Sequence, residues 1–332
     1  MILYLKISTI LSFCFLSFIA YPQSEGLPKI TIAGNNFATE NGEKIVFHGL
    51  NSSDPDKLES DGQWNQKYFD ELKSWGANLV RFPVHPKAWR ERGQTAYIAL
   101  LDAGIQMAEN AGLYVILDWH SIGNLRTGIF HHERYHTTLS ETYNFWKLMA
   151  ERYGDNSTVA FFELFNEPTL NNYKFGQLSW DEWKKIMEEL ILIVRANGAK
   201  NIPLVAGFDW AYDLKPVRYN PIEAESIAYV SHPYPQKRNK PWEPKWQEDW
   251  GFVAETYPVI LTEIGFCEEG EPGAHIPVID DGSYVRAITD FTQSRGISYV
   301  VWVFDPNWSP MMIEDWNFTP TKAGKVWKDV MK

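Results

Sequence analysis

Cysteine is scarce in this sequence: Cys14 and Cys267 are the only two in 332 residues. With Cys14 inside an N-terminal apolar stretch, the rest of the chain holds one thiol and cannot form an internal disulfide. Its stability must therefore come from a large core. Positive charge is also short. Lys and Arg number 31 against 42 Asp and Glu, a formal net charge of −11, with a pI near 5.3. That balance argues against a nucleic-acid or anionic-membrane partner, which would select a basic patch. No Gly/Ser or proline-rich linker and no short repeat interrupts Ile30 to Lys332, so one domain over residues 28–332 is expected. The long apolar run is Ile7 to Ala20, preceded by Lys6 and followed by polar, turn-forming residues. It is too short to span a bilayer comfortably and reads as a signal peptide ending near residue 23. The expectation is a secreted or periplasmic monomer with no membrane contact once that segment is removed.

What is abundant is aromatic: 15% of residues are Phe, Trp or Tyr. Most such rings belong in a core, but flat apolar faces at a cleft also suit sugar rings. Eight apolar, β-branched runs alternate with helix-like stretches: IVFHGL, NLVRFPV, YVILDWH, VAFFELFNEP, IPLVAGF, SIAYVSHPY, PVILTEIGF and SYVVWVFD. Several helical stretches end in Gly, as C-caps do, and Ser179 with Glu182 forms a capping box. Eight strands alternating with helices predict an α/β protein, a (β/α)8 TIM barrel. The segment from Ile30 to Asn51 adds a short N-terminal β-hairpin ahead of the first strand. An open doubly wound sheet would more often carry a glycine-rich phosphate loop after its first strand, and HGLNSSDPD is no such loop. Pro216 and Pro221 predict that the fifth helix is short or broken.

Barrel enzymes place their chemistry at the C-terminal ends of strands. Polar residues concentrate there: Arg81, His120, Asn166-Glu167, His232 with Tyr234, Glu263, and Trp302 before Asp305. Any one could be a satisfied structural group. Six strands of eight ending this way point to a site. Glu167 at the end of strand four and Glu263 at the end of strand seven would face each other across a narrow mouth. Two opposed carboxylates are what glycosidic hydrolysis needs, one to protonate the leaving oxygen, the other to attack or to activate water. Separations of about 5–5.5 Å and about 6.5–9.5 Å distinguish retaining from inverting action.

VRFP, DWH, FELFNEP, SHPY, LTEIG and VWVF, in this order, resemble glycoside hydrolase family 5, which contains many cellulases and β-mannanases. The resemblance covers essentially the whole chain after the apolar leader. It implies a secreted endo-β-1,4-glucanase, with β-mannanase or another β-glycanase as the alternative, no metal and no cofactor. By similarity Glu167 is the acid/base and Glu263 the nucleophile of a retaining double displacement. Arg81 and Tyr234 would hold the nucleophile, Arg81 keeping it ionised while Glu167 stays protonated. Asn166 would bind the sugar 2-hydroxyl. His120 and His232 would bind hydroxyls or position the acid/base, and Trp302 would stack on the sugar. Ile264, where many cellulases of the family carry an aromatic residue, is a departure. Trp210 is a candidate for a more distant sugar contact.

Two other classes compete. A barrel that binds carbohydrate without catalysis would not need both Glu167 and Glu263. A zinc protease is suggested by HHERYH, since His132, Glu133 and His136 match H-E-x-x-H, but that motif works only on a helix. A capping box of Thr138 and Glu141 predicts that the helix starts after His136. The motif is then left in the loop after strand three, where it is expected to line or overhang one end of the cleft.

Overall fold

The computed structural model describes residues 26–332; the segment read as a signal peptide, Cys14 included, lies outside the described residues. Three short antiparallel strands come first, β1 (Ile30–Ala33), β2 (Asn36–Thr39) and β3 (Lys44–Ile45). The expected hairpin is thus present and gains a third strand. The run IVFHGL is split, because Ile45 stays with this small sheet and the first barrel strand begins only at His48.

Eight parallel strands then close a barrel in the order β4 (His48–Asn51), β5 (Leu79–Val84), β6 (Tyr114–Trp119), β9 (Val159–Glu163), β11 (Ile202–Ala206), β12 (Ala228–Val230), β13 (Val259–Ile264) and β14 (Ser298–Val301). Between β6 and β11 lie three short strands outside the barrel wall, β7 (Ile122–Asn124), β8 (Ile129–Phe130) and β10 (Glu167–Pro168). Closure is made by β14 pairing with β4, Tyr299 opposite His48. All barrel strands are buried on both faces, which explains their continuous apolar runs.

Successive strand residues point to opposite faces. One set, with Val80, Phe82, Val115, Leu117, Phe162, Val205 and Tyr229, joins the core under the helices. The alternate set, with Leu79, Ile116, Phe161, Leu204, Val230, Ile260 and Val300, forms a second core with Ile30, Phe37 and Phe47 of the N-terminal segment. Phe37 meets Phe161 edge to face at 5.0 Å. The small sheet therefore plugs the barrel floor. Two residues further along the same inward parity come Arg81, Asp118, Glu163, His232 and Thr262. These five interior columns thus change from apolar at the floor to polar at the rim.

Helix starts follow local chemistry. Ser179 and Glu182 form both halves of the capping box at helix Trp180–Ala196. Thr138 caps helix Leu139–Tyr153 by accepting from the Glu141 amide at 3.1 Å. The Glu141 carboxylate does not return to complete that box; it takes Arg90 at 2.9 Å and the Thr137 hydroxyl at 3.0 Å. After β11 only the short turns Phe208–Ala211 and Lys215–Arg218 form, as the two prolines require.

Candidate active site

Arg81 is the hub. Its guanidinium has five N–H groups, and every one finds an acceptor at the barrel rim. Nε donates to Glu163 Oε2 (2.6 Å) and Nη1 to Asn51 Oδ1 (3.0 Å) and Glu263 Oε1 (3.1 Å). Nη2 donates to Glu163 Oε1 (3.1 Å) and Asn166 Oδ1 (2.7 Å). Burial opposes the charge, but Asp118, Glu163 and Glu263 hold the guanidinium far above its ordinary pKa. The same contacts pin Glu163, whose own burial is outweighed by Arg81 and by hydrogen bonds, so its carboxyl lies below its usual value.

Glu263 reaches this hub through an irregularity. The β13–β14 register shifts between Leu261 and Ile264, and such a bulge re-aims side chains. Thr262 and Glu263, neighbours in sequence, both reach buried polar partners at the barrel rim. Glu263 accepts from Arg81 at one oxygen and from the Tyr234 hydroxyl at the other, at 3.0 Å. Burial pushes its carboxyl up; His232 and Arg81 pull it back, and Glu167 and Glu163 push with burial. Arg81 therefore does not set the ionisation of Glu263 alone, as the sequence suggested. On balance its carboxyl lies above its usual value, while both hydrogen bonds donate to its oxygens and favour the carboxylate.

Glu167 lies beyond strand four rather than on it. The barrel strand ends at Glu163, and Glu167 belongs to β10, which pairs parallel with Ile122 of β7. Its Oε1 lies 3.0 Å from His232 Nδ1. The other ring nitrogen, Nε2, lies 2.8 Å from the Thr262 hydroxyl, which donates to Glu163 Oε1 at 2.8 Å. Burial would lower His232, yet Glu263, Glu163 and Glu167 raise it to about 9. One ligand atom each from Glu167, His232 and Glu263 lie within 4.8 Å of one another, the one group of such residues among those described that could hold a metal. Arg81, Tyr234 and Thr262 already supply its hydrogen-bond partners, an arrangement suited to proton transfer.

His120 is backed by Asp118, whose Oδ2 lies 2.6 Å from His120 Nδ1. Burial lowers the His120 pKa well below its ordinary value and raises Asp118 well above its own. The His120 ring stacks on Trp302, 5.4 Å between centroids and 5° between planes. Asn166 Nδ2 is buried without a partner, a donor left for something that enters. All eight site residues expected from the sequence thus meet at one rim: six line a cavity of about 570 Å³, and Arg81 and His232, both fully buried, stand behind Glu263 and Glu167.

The remaining walls come from three loops. His131 and Tyr135 of HHERYH line the cavity, as do Gln236 and Lys237 after β12 and His275 to Val278 after β13. Trp210 lines it too, in a run of three residues, Asp209 to Ala211, with φ between 55° and 59°, a conformation that costs energy outside glycine. Lys237 Nζ sits 4.8 Å from the Trp210 ring centroid. The H-E-x-x-H match forms a single 3₁₀ turn, Glu133–Tyr135, and no α-helix; the Glu133 carboxylate is taken by Lys87. Cys267 is buried against Tyr234 and Trp302, behind the wall rather than on it. Glu163, Asp118, Thr262 and Lys237 escaped the sequence reading. For the first three, inward parity two residues beyond Phe161, Ile116 and Ile260 was the available signal.

Comparison with known proteins agrees with this geometry. A family model described as cellulase (glycosyl hydrolase family 5) matches residues 38–308. A beta-glucanase from Saccharophagus degradans is 48% identical in its native form, with a TM-score of 0.90 over 92% of this chain and 93% of that one. The same enzyme in complex with cellotetraose aligns at 45% identity, with a TM-score of 0.91 over 96% and 98%. An endoglucanase of Paenibacillus polymyxa is 22% identical over 85% of this chain and 82% of its own length. Endoglucanase A of Butyrivibrio fibrisolvens is 22% identical, and the chain spans only 54% of that relative.

Proposed function

The chain belongs to glycosyl hydrolase family 5 and is a glycoside hydrolase, and on that premise we propose that it is a secreted enzyme cleaving β-1,4-linked glucan with retention, Glu167 as acid/base and Glu263 as nucleophile. The observation that carries this is the carboxyl pair beside the cavity, with an oxygen of Glu167 and one of Glu263 within 4.8 Å. That spacing fits the roughly 5–5.5 Å separation of retaining enzymes rather than the about 6.5–9.5 Å of inverting ones.

In the first step Glu263 attacks the anomeric carbon while Glu167 protonates the departing oxygen. Arg81 and Tyr234 hold the two Glu263 oxygens, fixing the attack direction. The free Nδ2 of Asn166 donates to the sugar 2-hydroxyl, a contact that tightens as positive charge grows on the ring. Trp302 and His120, stacked together, give one wall a flat apolar face and a nitrogen for a hydroxyl. In the second step Glu167, now a carboxylate, takes a proton from a water whose oxygen bonds to the anomeric carbon, breaking that carbon's bond to Glu263 and releasing the sugar. The glucan assignment is supported by the cellotetraose bound to the Saccharophagus relative and by the endoglucanase names of the sequence relatives. Secretion is supported by the Lys6-to-Ala20 pattern.

The test is hydrolysis of cello-oligosaccharides, mixed-linkage glucan, mannan and xylan by wild type, Glu167→Gln and Glu263→Gln, with product anomers followed by NMR. The β-anomer should appear first, and both variants should fall by at least about two orders of magnitude. Wild-type rates in both variants would overturn the roles, and preference for mannan would overturn the substrate.

A further inference from the structure

Beneath Glu167, His232, Thr262 and Glu163 form a hydrogen-bonded chain. The Thr262 hydroxyl carries one hydrogen. Glu163 Oε1 can only accept, because Arg81 holds that carboxylate ionised, so the hydrogen goes to Glu163 across 2.8 Å. The Thr262 oxygen is then left as an acceptor toward His232 Nε2 at 2.8 Å. Nε2 must therefore carry a hydrogen. His232 Nδ1 has one partner in hydrogen-bond range, Glu167 Oε1 at 3.0 Å; Glu263 Oε2, at 3.8 Å, is too far. A neutral His232 held with Nε2–H can only accept at Nδ1, from a protonated Glu167. A charged His232 donates there. The arrangement excludes the one form that would donate to Glu167 while neutral.

We propose that Thr262 and Glu163 are positioning residues for the acid/base: by fixing the hydrogen on His232 Nε2, they make His232 a proton partner of Glu167 rather than a neutral donor that would favour its carboxylate and strip it of the proton it must deliver. Removing the Thr262 hydroxyl frees the ring to take the Nδ1–H tautomer, which stabilises the Glu167 carboxylate without adding a proton. The charges facing His232 come from Glu163 of β9, Glu167 of β10 and Glu263 of β13, with Arg81 of β5 behind Glu163 and the neutral His120 opposite. Thr262 alters none of these charges. This inference rests on the reading of Glu167 as the acid/base.

The experiment compares Thr262→Val, Thr262→Ser and Glu167→Ala on two substrates. One is a cello-oligosaccharide, whose leaving group needs a proton; the other is a dinitrophenyl cellobioside, whose leaving group does not. Thr262→Val should lose about tenfold in kcat/KM on the oligosaccharide, less than about twofold on the aryl glycoside in the bond-breaking step, and its alkaline limb should move to lower pH. Thr262→Ser should restore wild-type behaviour. Equal losses on both substrates with an unmoved pH profile, or no loss at all, would overturn the proposal. Nitrogen-15 NMR of the wild-type imidazoles is a second arm that needs no variant. Nε2 should stay protonated across the active pH range, and a bare Nε2 on neutral His232 would equally overturn it. Glu167→Ala separates the two readings. If it loses oligosaccharide activity and azide restores turnover of the aryl glycoside, the acid/base reading holds and only the Thr262 inference is at stake. If it does neither, the acid/base reading itself fails.

Discussion

Replacing Arg81 by Lys keeps the charge and removes the fork. Five acceptor contacts depend on that guanidinium, two on Glu163 and one each on Asn51, Glu263 and Asn166. A lysine ammonium has three N–H groups at one point, so at least two of the five contacts lose their donor. Each deprived buried acceptor costs about 1–3 kcal/mol, giving a loss of about 2–6 kcal/mol in stability, toward the upper end if a carboxylate is among them. With melting temperatures moving about 2–4 °C per kcal/mol in large domains, the midpoint should fall by roughly 4–24 °C. Activity should fall further than stability, because Glu263 and Asn166 lose the group that aims them. Misplacement by about 1 Å is worth around a hundredfold. Calorimetric melting and cello-oligosaccharide kcat/KM, measured on the same preparation below the new midpoint, test both parts. A variant melting within about 2 °C of wild type and retaining more than about a tenth of its activity would show that the fork is not what organises this rim.

Stability should also decline on the alkaline side. His232 is raised from 6.5 to about 9 in the fold. A base raised by folding contributes stability fully present below its unfolded value, near pH 6.5, and lost as pH climbs through about 9. At 1.36 kcal/mol per unit that is at most about 3 kcal/mol. Urea midpoints from pH 6 to 10 should therefore fall more steeply for wild type than for His232→Asn, and parallel curves would rule out this source. In the loop after β8, Tyr135 lines the cavity and stacks on His85 at 5.5 Å. Tyr135→Ala should raise KM for long oligosaccharides by about tenfold, the worth of one aromatic contact, with little change in kcat. An unchanged KM would return HHERYH to plain surface.

The barrel was legible because each strand is a closed apolar run and each connecting helix carries its own stop or start, Gly112 and Ser179 among them. The catalytic pair was legible because Asn166-Glu167-Pro168 and Glu263 interrupt those runs at their ends. Asp118 and Glu163 were not read, although both interrupt runs in the same way. A buried carboxylate inside a strand makes sense only once its partner is known, and the partner, Arg81, sits on a different strand. The displacement of Glu167 onto β10 was hidden for a similar reason. It depends on pairing with Ile122, forty-five residues earlier, which no local pattern records. The bulge at Thr262-Glu263 likewise arises from the register with β14, so two adjacent residues could not both be read as facing one site.

The plugged floor sets an order of events during synthesis. Ile30, Phe37 and Phe47 emerge early, yet the surface they cover is completed by Phe161 on the fourth barrel strand and Val300 on the eighth. The wall itself closes only when Tyr299 reaches His48. A chain growing from its N-terminus therefore carries its first aromatic cluster uncovered until nearly all of it has been made. Contacts this distant in sequence slow folding, and the nascent hairpin is the segment a chaperone would have most reason to hold.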